Sequence, residues 1–175
     1  MLIENEFAVA SDPDAVFALM TDVEKVAPCI PGAEVVGKRE DGSYDATSTV
    51  KLGPIKMTYK GTVRIAEADP EARTATLLAK GNEARGQGSA QATMKMQVVP
   101  AEGGGSTVKV STDLAVTGRV ASMGQGIMKD VAGRMIGEMA RNMQTVLAGG
   151  QPDAPEAVSA AGVVGGLLKS KLRRD

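Results

Sequence analysis

The hydrophobic pattern of this chain changes its period once, and that change limits the folds available to it. Between Ala33 and Gly118, apolar and polar residues alternate, and turn signals such as Gly53-Pro54 and Gly103–Gly105 interrupt the alternation. A period of two is typical of strands with one buried face. From about Val120 to Leu147, apolar residues instead recur at helical spacing. The pattern therefore predicts consecutive antiparallel strands, covered on one face by a single helix of about 40 Å.

The remaining segments complete a domain organisation. Residues 2–9 alternate as a first strand does, and Ser11-Asp12-Pro13 is typical of a helix start. We expect one folded domain over residues 1–148 and a Gly/Pro linker over 149–156. Residues 157–175 form an apolar segment followed by a basic one, which we treat as a separate tail.

Composition excludes several kinds of chemistry. The chain has no His and a single Cys, so it lacks the side chain best suited to proton transfer near neutral pH and the commonest transition-metal ligand. We therefore predict no catalytic residues and no metal site, although chemistry based on carboxylates or lysine stays open. The acidic excess before the tail argues against a nucleic-acid partner. Gly86-Gln87-Gly88 and Gly124-Gln125-Gly126 lack the spacing of a dinucleotide-binding loop.

Methionine takes the place of aromatic residues in the predicted interior. Ten Met accompany only two Phe and two Tyr, and inward strand positions include small residues such as Ser48, Gly61, Ala90 and Ala92. Met at helical spacing is ordinary core material, but a wide sheet with so few large side chains also favours a cavity that suits a long apolar ligand. The predicted ligand-binding residues are Met57, Tyr59, Met94, Met96, Met123, Ile127, Met128, Val131, Met135 and Met139.

The tail is too short to cross a bilayer but suits contact with one. Its apolar part, residues 157–168, falls below the roughly 20 residues that a spanning helix needs. The basic residues that follow favour an anionic membrane surface. There are two alternatives. The tail docks in a groove of a partner enzyme, or it is disordered and has no binding role. The predicted membrane-contact residues are Leu167, Leu168, Lys169, Lys171, Leu172, Arg173 and Arg174.

Several segments resemble a known family. They are Phe7, Ser11–Phe17, Asp22–Ala33, Gly53-Pro54-Ile55, Tyr59-Lys60-Gly61 and Gly86–Ala92. Over about residues 1–150 the chain resembles the family of the G subunit of carbon monoxide dehydrogenase, within the START-like (SRPBCC) superfamily. The resemblance implies an α+β domain with the helix-grip fold, in which a curved antiparallel sheet wraps around one long C-terminal helix. Family members often carry Cys where this chain has Ala33, so no Cys-based role is carried over.

The resemblance also implies a function. Such proteins accompany molybdenum hydroxylases of the carbon monoxide dehydrogenase type and help to tie them to the cytoplasmic membrane and its quinone pool. We therefore expect a cytoplasmic protein, peripheral on the inner face of that membrane, that carries menaquinone or ubiquinone as a non-covalent ligand. A recruitment adaptor with a solid interior is the first alternative. A cyclase or hydrolase is the second, and it requires ionisable side chains directed inward, of which the predicted inward positions contain none.

Overall fold

A computed structural model describes residues 1–152, so the predicted membrane-contact residues lie outside the described part of the chain. The strands are β1 (Leu2–Val9), β2 (Ala33–Lys38), β3 (Tyr44–Leu52), β4 (Ile55–Asp69), β5 (Thr74–Glu83), β6 (Ser89–Pro100) and β7 (Ser106–Val116). The helices are α1 (Pro13–Met20), α2 (Val23–Val26) and α3 (Gln125–Leu147), with 3₁₀ turns at Ala27–Cys29 and Val120–Met123.

All seven strands form one antiparallel sheet in the order β1-β7-β6-β5-β4-β3-β2. The predicted alternation is confirmed along it, because inward residues of neighbouring strands fall opposite one another in register. Helix α3 covers the inner face. The predicted fold class, a curved antiparallel sheet gripping a long C-terminal helix, is confirmed.

Helix α1 begins where the sequence predicts, and α2 begins with a cap of the same kind. The Asp12 carboxylate accepts hydrogen bonds from the backbone N–H groups of Asp14 (3.1 Å) and Ala15 (3.4 Å), and Pro13 occupies the first helical position. The Asp22 side chain accepts from Lys25 N–H in the same way and starts α2. These caps satisfy amide groups that have no partner inside their helices.

The prediction of one uninterrupted helix from Val120 is wrong. Gly124 has φ 91° and ψ 159°, which separates the 3₁₀ turn Val120–Met123 from α3. Helix α3 has 23 residues and is therefore about 35 Å long. Apolar spacing continues through the break, so periodicity alone does not reveal it. A positive φ at glycine carries little steric penalty, and this is what allows the chain to turn here.

Two groups of buried residues hold the domain together. The main core joins α1, α2, the sheet and the second half of α3. Its buried members are Val9, Val16, Phe17, Leu19, Met20, Val26, Cys29, Ala75, Met96, Val98, Val108, Val110, Met139 and Met143. The minor core consists of Leu52, Met57 and Val120, with Met128 and Val131 of α3 packed against it.

Helix α3 is fastened mainly through its second half. Met139 and Met143 are its two buried residues. The Asn142 Nδ2 group donates a hydrogen bond of 2.9 Å to the carbonyl of Cys29, and Gln144 Oε1 accepts one of 3.3 Å from Ala10 N–H. In the first six residues of α3, only Met128 is partly buried. The first half of α3 is therefore the more weakly held.

Candidate functional site

A cavity of about 480 Å³ lies between α3 and the inner face of the sheet. Its lining draws on both the main core and the minor core, so the cavity separates the two. The lining is dominated by Ala, Val, Ile, Leu and Met side chains. Only Glu34 and Lys80 among the lining residues are charged, and both are largely exposed to solvent. The interior therefore suits an apolar molecule.

A row of small residues makes room for this cavity. Ala46 on β3 lies opposite Gly61 on β4, Gly61 lies opposite Gly81 on β5, and Gly81 lies opposite Ala90 on β6. All four line the cavity. A Cβ atom on Gly61 would overlap the carbonyl oxygen of Lys80, so β4 and β5 approach too closely there for any side chain. The inner face of the sheet therefore lacks large side chains along this row.

The structure brings seven of the ten predicted ligand-binding residues to the cavity. They are Tyr59, Met94, Met96, Met128, Val131, Met135 and Met139. The other three do not line it. Met57 points inward but is fully buried in the minor core, and Met123 packs against that same cluster. Ile127 is 46% exposed, because α3 starts only at Gln125 and its first turn faces solvent.

One side of the cavity comes from segments that the sequence analysis assigned to no site. The short helices and strand β2 contribute an apolar group near the sheet edge. Its members are Val23, Val26, Ala27, Ile30, Ala33 and Val35. The spacing of Val23 and Val26 marks an apolar helix face, but only the tertiary structure shows that this face borders a space.

Tyr59 is the unusual polar residue of the lining. Its ring borders the cavity, while its hydroxyl is buried and has no hydrogen-bond partner within residues 1–152. Burial raises the pKa of the phenol, and the nearby Glu83 carboxylate raises it further. A buried hydroxyl without a partner costs about 1–3 kcal/mol, so most such groups in folded proteins are paired. The Tyr59 hydroxyl is therefore a neutral, unsatisfied group beside an apolar cavity.

Glu83, the last residue of β5, is a buried acid that the sequence analysis missed. It lies opposite Tyr59 in register and is 4% exposed. Its Oε2 accepts hydrogen bonds from the backbone N–H groups of Arg85 (2.6 Å) and Gln87 (3.3 Å). Burial alone would raise the pKa of Glu83, but these backbone donors, together with the backbone of Thr58 and the charge of Arg85, bring it below its ordinary value. Glu83 is thus an ionised residue that holds the β5–β6 turn, and it does not line the cavity.

This arrangement predicts an acid-sensitive contribution to stability. The folded pKa of Glu83 is lowered, so its stabilising effect is present above the ordinary glutamate pKa of about 4.3 and is lost as the pH falls through the folded value. We expect Glu83→Gln to lower the melting temperature at neutral pH, and we expect the gap from the wild type to close in acid. Glu67→Gln, at an exposed position, is the control and should show no such gap. A gap that does not change with pH would contradict this role.

Other kinds of site find no support in the described residues. Within residues 1–152, no group of three or more His, Cys, Asp or Glu side chains is arranged to hold a metal ion. Cys29 is buried, and burial raises the pKa of its thiol, so it is unreactive in this fold. In the same range, no helix combines the length and apolar character that crossing a membrane requires.

Solved structures share this architecture. A conserved protein from Geobacillus kaustophilus superposes with a TM-score of 0.75 at 19% identity, covering 85% of this chain and 96% of that one. A protein from Thermus thermophilus gives 0.56 at 17% identity, with 81% and 95% covered. A START superfamily protein from Mycobacterium smegmatis gives 0.54 at 14% identity, with 85% and 97% covered. No curated protein is similar enough in sequence to count as a relative.

The sheet, the gripped helix and the space between them define the START-like fold, and the Mycobacterium smegmatis structure is that of a START superfamily protein. At these identities the structural likeness shows the fold alone. The sequence is more specific, because residues 6–148 match the family described as the G subunit of carbon monoxide dehydrogenase (CoxG). The chain belongs to that family.

Proposed function

We propose that this protein is a non-catalytic carrier that holds an isoprenoid quinone, menaquinone or ubiquinone, in its cavity. In this role it links a molybdenum enzyme of the carbon monoxide dehydrogenase type to the cytoplasmic membrane and the respiratory chain. The observation that carries the proposal is the apolar cavity of about 480 Å³ under α3. Family membership supports the choice of partner enzyme.

The cavity has the volume of a small-molecule pocket and a lining whose chemistry suits the proposed ligand. Its volume lies within the range of about 300–1,000 Å³ that is usual for small-molecule pockets. Flexible Met side chains, including Met94, Met128 and Met135, adapt to an irregular chain such as a polyprenyl tail. A quinone also brings carbonyl oxygens, each of which can accept a hydrogen bond. Tyr59 supplies a hydroxyl donor beside this space that has no partner within the described residues. Because that hydroxyl is covered by neighbouring side chains, the ligand must displace them before a quinone oxygen can reach it.

The alternatives gain less support. A recruitment adaptor with a solid interior does not need the space between the two cores. An enzyme of the cyclase or hydrolase kind needs a proton donor or acceptor that titrates near neutral pH and is directed into the cavity. The charged lining residues Glu34 and Lys80 are exposed instead, and burial together with Glu83 raises the pKa of the Tyr59 phenol further from neutrality. The buried acid nearest the lining, Glu83, is occupied by backbone N–H groups.

Native mass spectrometry of the protein purified under mild conditions, followed by organic extraction, tests the carrier role. We expect a co-purifying isoprenoid quinone in near-stoichiometric amount. A protein that emerges empty from quinone-rich cells, and that takes up no menaquinone or ubiquinone on incubation, would favour the adaptor instead.

Tyr59→Phe tests the polar contact separately. This variant keeps the ring and removes the hydroxyl, so we expect weaker retention of quinone but unchanged retention of squalene, an isoprenoid without carbonyl groups. Equal loss of both ligands would assign Tyr59 to packing alone.

A further inference from the structure

Acidic and basic residues lie at opposite ends of the sheet. At one end lie the start of α1 and the turns β2–β3, β4–β5 and β6–β7. They carry Asp12, Asp14, Glu40, Asp41, Asp69, Glu71 and Glu102. Of the three cations beside these turns, Arg39 pairs with Asp45 at 2.7 Å, Arg73 pairs with Asp14 at 3.1 Å, and Lys38 lies over the Tyr44 ring. This end is therefore strongly acidic.

The opposite end is basic. It comprises the turns β3–β4 and β5–β6, the connection from β7, and the first turns of α3. Its cations, all exposed, are Lys51, Lys56, Arg85, Arg119 and Lys129. We call these five residues the basic end. None of them forms an ion pair within residues 1–152. The exposed carboxylates of this region are Asp130 and Glu34, the latter near the start of β2, whereas Glu83 is buried.

Folding alone does not account for this arrangement. Lys51 and Lys56 lie directly opposite each other in register across the β3–β4 hairpin, and like charges in that position repel. The backbone ties the turns together, because Arg119 N–H donates to the carbonyl of Gln87 and Ala84 N–H donates to that of Thr58. The cations are thus presented together on one surface.

An exposed apolar side chain and the cavity accompany these charges. Ile127, on the first turn of α3, is 46% exposed and is one of three large hydrophobic residues exposed in the described chain. Next to it, Met128 lines the cavity together with Val120 from the preceding 3₁₀ turn. This is also the weakly held half of α3. Cations, an exposed isoleucine and the loosely packed side of the cavity thus occur at the same end.

We propose that the basic end docks on an anionic lipid bilayer, with Ile127 at the boundary between headgroups and acyl chains. The negative potential of such a surface attracts the basic end and repels the acidic end, so the domain binds the surface in one orientation. That orientation turns the start of α3 and the adjoining part of the cavity toward the lipid. This docking surface extends the proposed function. Its test uses no quinone, so its failure and the failure of the carrier role can be distinguished.

Vesicle flotation of the full chain tests this surface. To remove the contribution of the tail, Lys169, Lys171, Arg173 and Arg174 are all replaced by Gln in the starting protein. We expect it to bind vesicles of phosphatidylcholine with phosphatidylglycerol and not vesicles of phosphatidylcholine alone. Each lysine near an anionic surface contributes about fivefold in binding, so the double variant Lys51→Glu, Lys56→Glu should lose at least about 25-fold.

A matched variant separates orientation from net charge. Lys95→Glu with Lys109→Glu makes the same change in charge on the exposed outer face of β6 and β7, away from both ends. We expect it to lose far less binding than the first pair. Equal losses from the two pairs would overturn the proposal, and so would failure of the starting protein to bind anionic vesicles, the result expected if an acidic protein surface is the true partner.

A fluorescent label gives a second, independent measurement. Cys29 is fully buried, so a cysteine introduced by Ile127→Cys is the accessible thiol for a polarity-sensitive dye. We expect a blue shift on anionic vesicles from this position. No shift is expected from a dye placed at the acidic end through Glu102→Cys. A shift at both positions, or at neither, would contradict the orientation.

Discussion

Replacing Ala92 by Phe is expected to abolish quinone binding while leaving the fold intact. Ala92 lies on β6 between Ala79 of β5 and Leu114 of β7, and all three line the cavity. A phenyl ring at this position enters existing space instead of a packed core, so the usual penalty for overpacking does not arise. We expect the thermal midpoint to be unchanged or raised, and the amount of bound quinone to fall at least tenfold.

The matched control for this variant is Thr93→Phe. Thr93 is the next residue on β6, but it points to the outer face, opposite Leu78 and Asp113, and does not line the cavity. The same side chain added there should leave quinone content unchanged. Both variants are compared by extraction and by native mass spectrometry. If Ala92→Phe retains a full complement of quinone, the cavity under α3 is not the binding site.

Shortening two methionines of α3 to alanine is expected to have opposite consequences. Met143 is fully buried in the main core, so Met143→Ala should lower the free energy of unfolding by about 3 kcal/mol. In a domain of this size that corresponds to roughly 6–12 °C in thermal midpoint. Met135 is half-buried and borders the cavity, so Met135→Ala enlarges an existing space and should cost less than about 1 kcal/mol.

The same two substitutions should affect ligand affinity in the opposite way, with the larger loss at Met135. Met135→Ala removes apolar contact with the quinone and is expected to weaken binding by about tenfold, or about 1.4 kcal/mol. Met143→Ala should leave the affinity of the folded protein unchanged, because Met143 does not line the cavity. Chemical denaturation and quinone titration of the same two variants separate these effects. Equal stability losses would mean that Met135 belongs to the core, and that no distinct lining exists.

Most of the architecture could be predicted because it follows from local patterns. The alternation in β4 correctly places Met57, Tyr59 and Gly61 on one face of the sheet. Which of these side chains borders the cavity depends, however, on which other residues pack over them. The alternation of the sequence does not show this. Met57 lies under Val120 in the minor core, while Tyr59, two residues further on, borders open space.

Two other differences have similarly specific causes. The break at Gly124 preserves the apolar spacing on both sides, so a single helix and an interrupted one look alike in the sequence. Glu83 escapes sequence reasoning because acidic residues are rarely buried. Its burial depends on backbone N–H groups of a turn that forms only when β5 and β6 pair. Both features are consequences of tertiary structure.

The row Ala46–Gly61–Gly81–Ala90 implies that ligand selectivity can change in evolution without loss of the fold. Gly61 is fixed, because any side chain there would strike the backbone of β5. Ala46 and Ala90 face the cavity, and neither belongs to the main or the minor core. Larger residues at these two alanines would shorten the space for a ligand chain and leave the residues that carry stability untouched. Under the proposed carrier function, related proteins are therefore free to accept prenyl chains of different length on one unchanged scaffold.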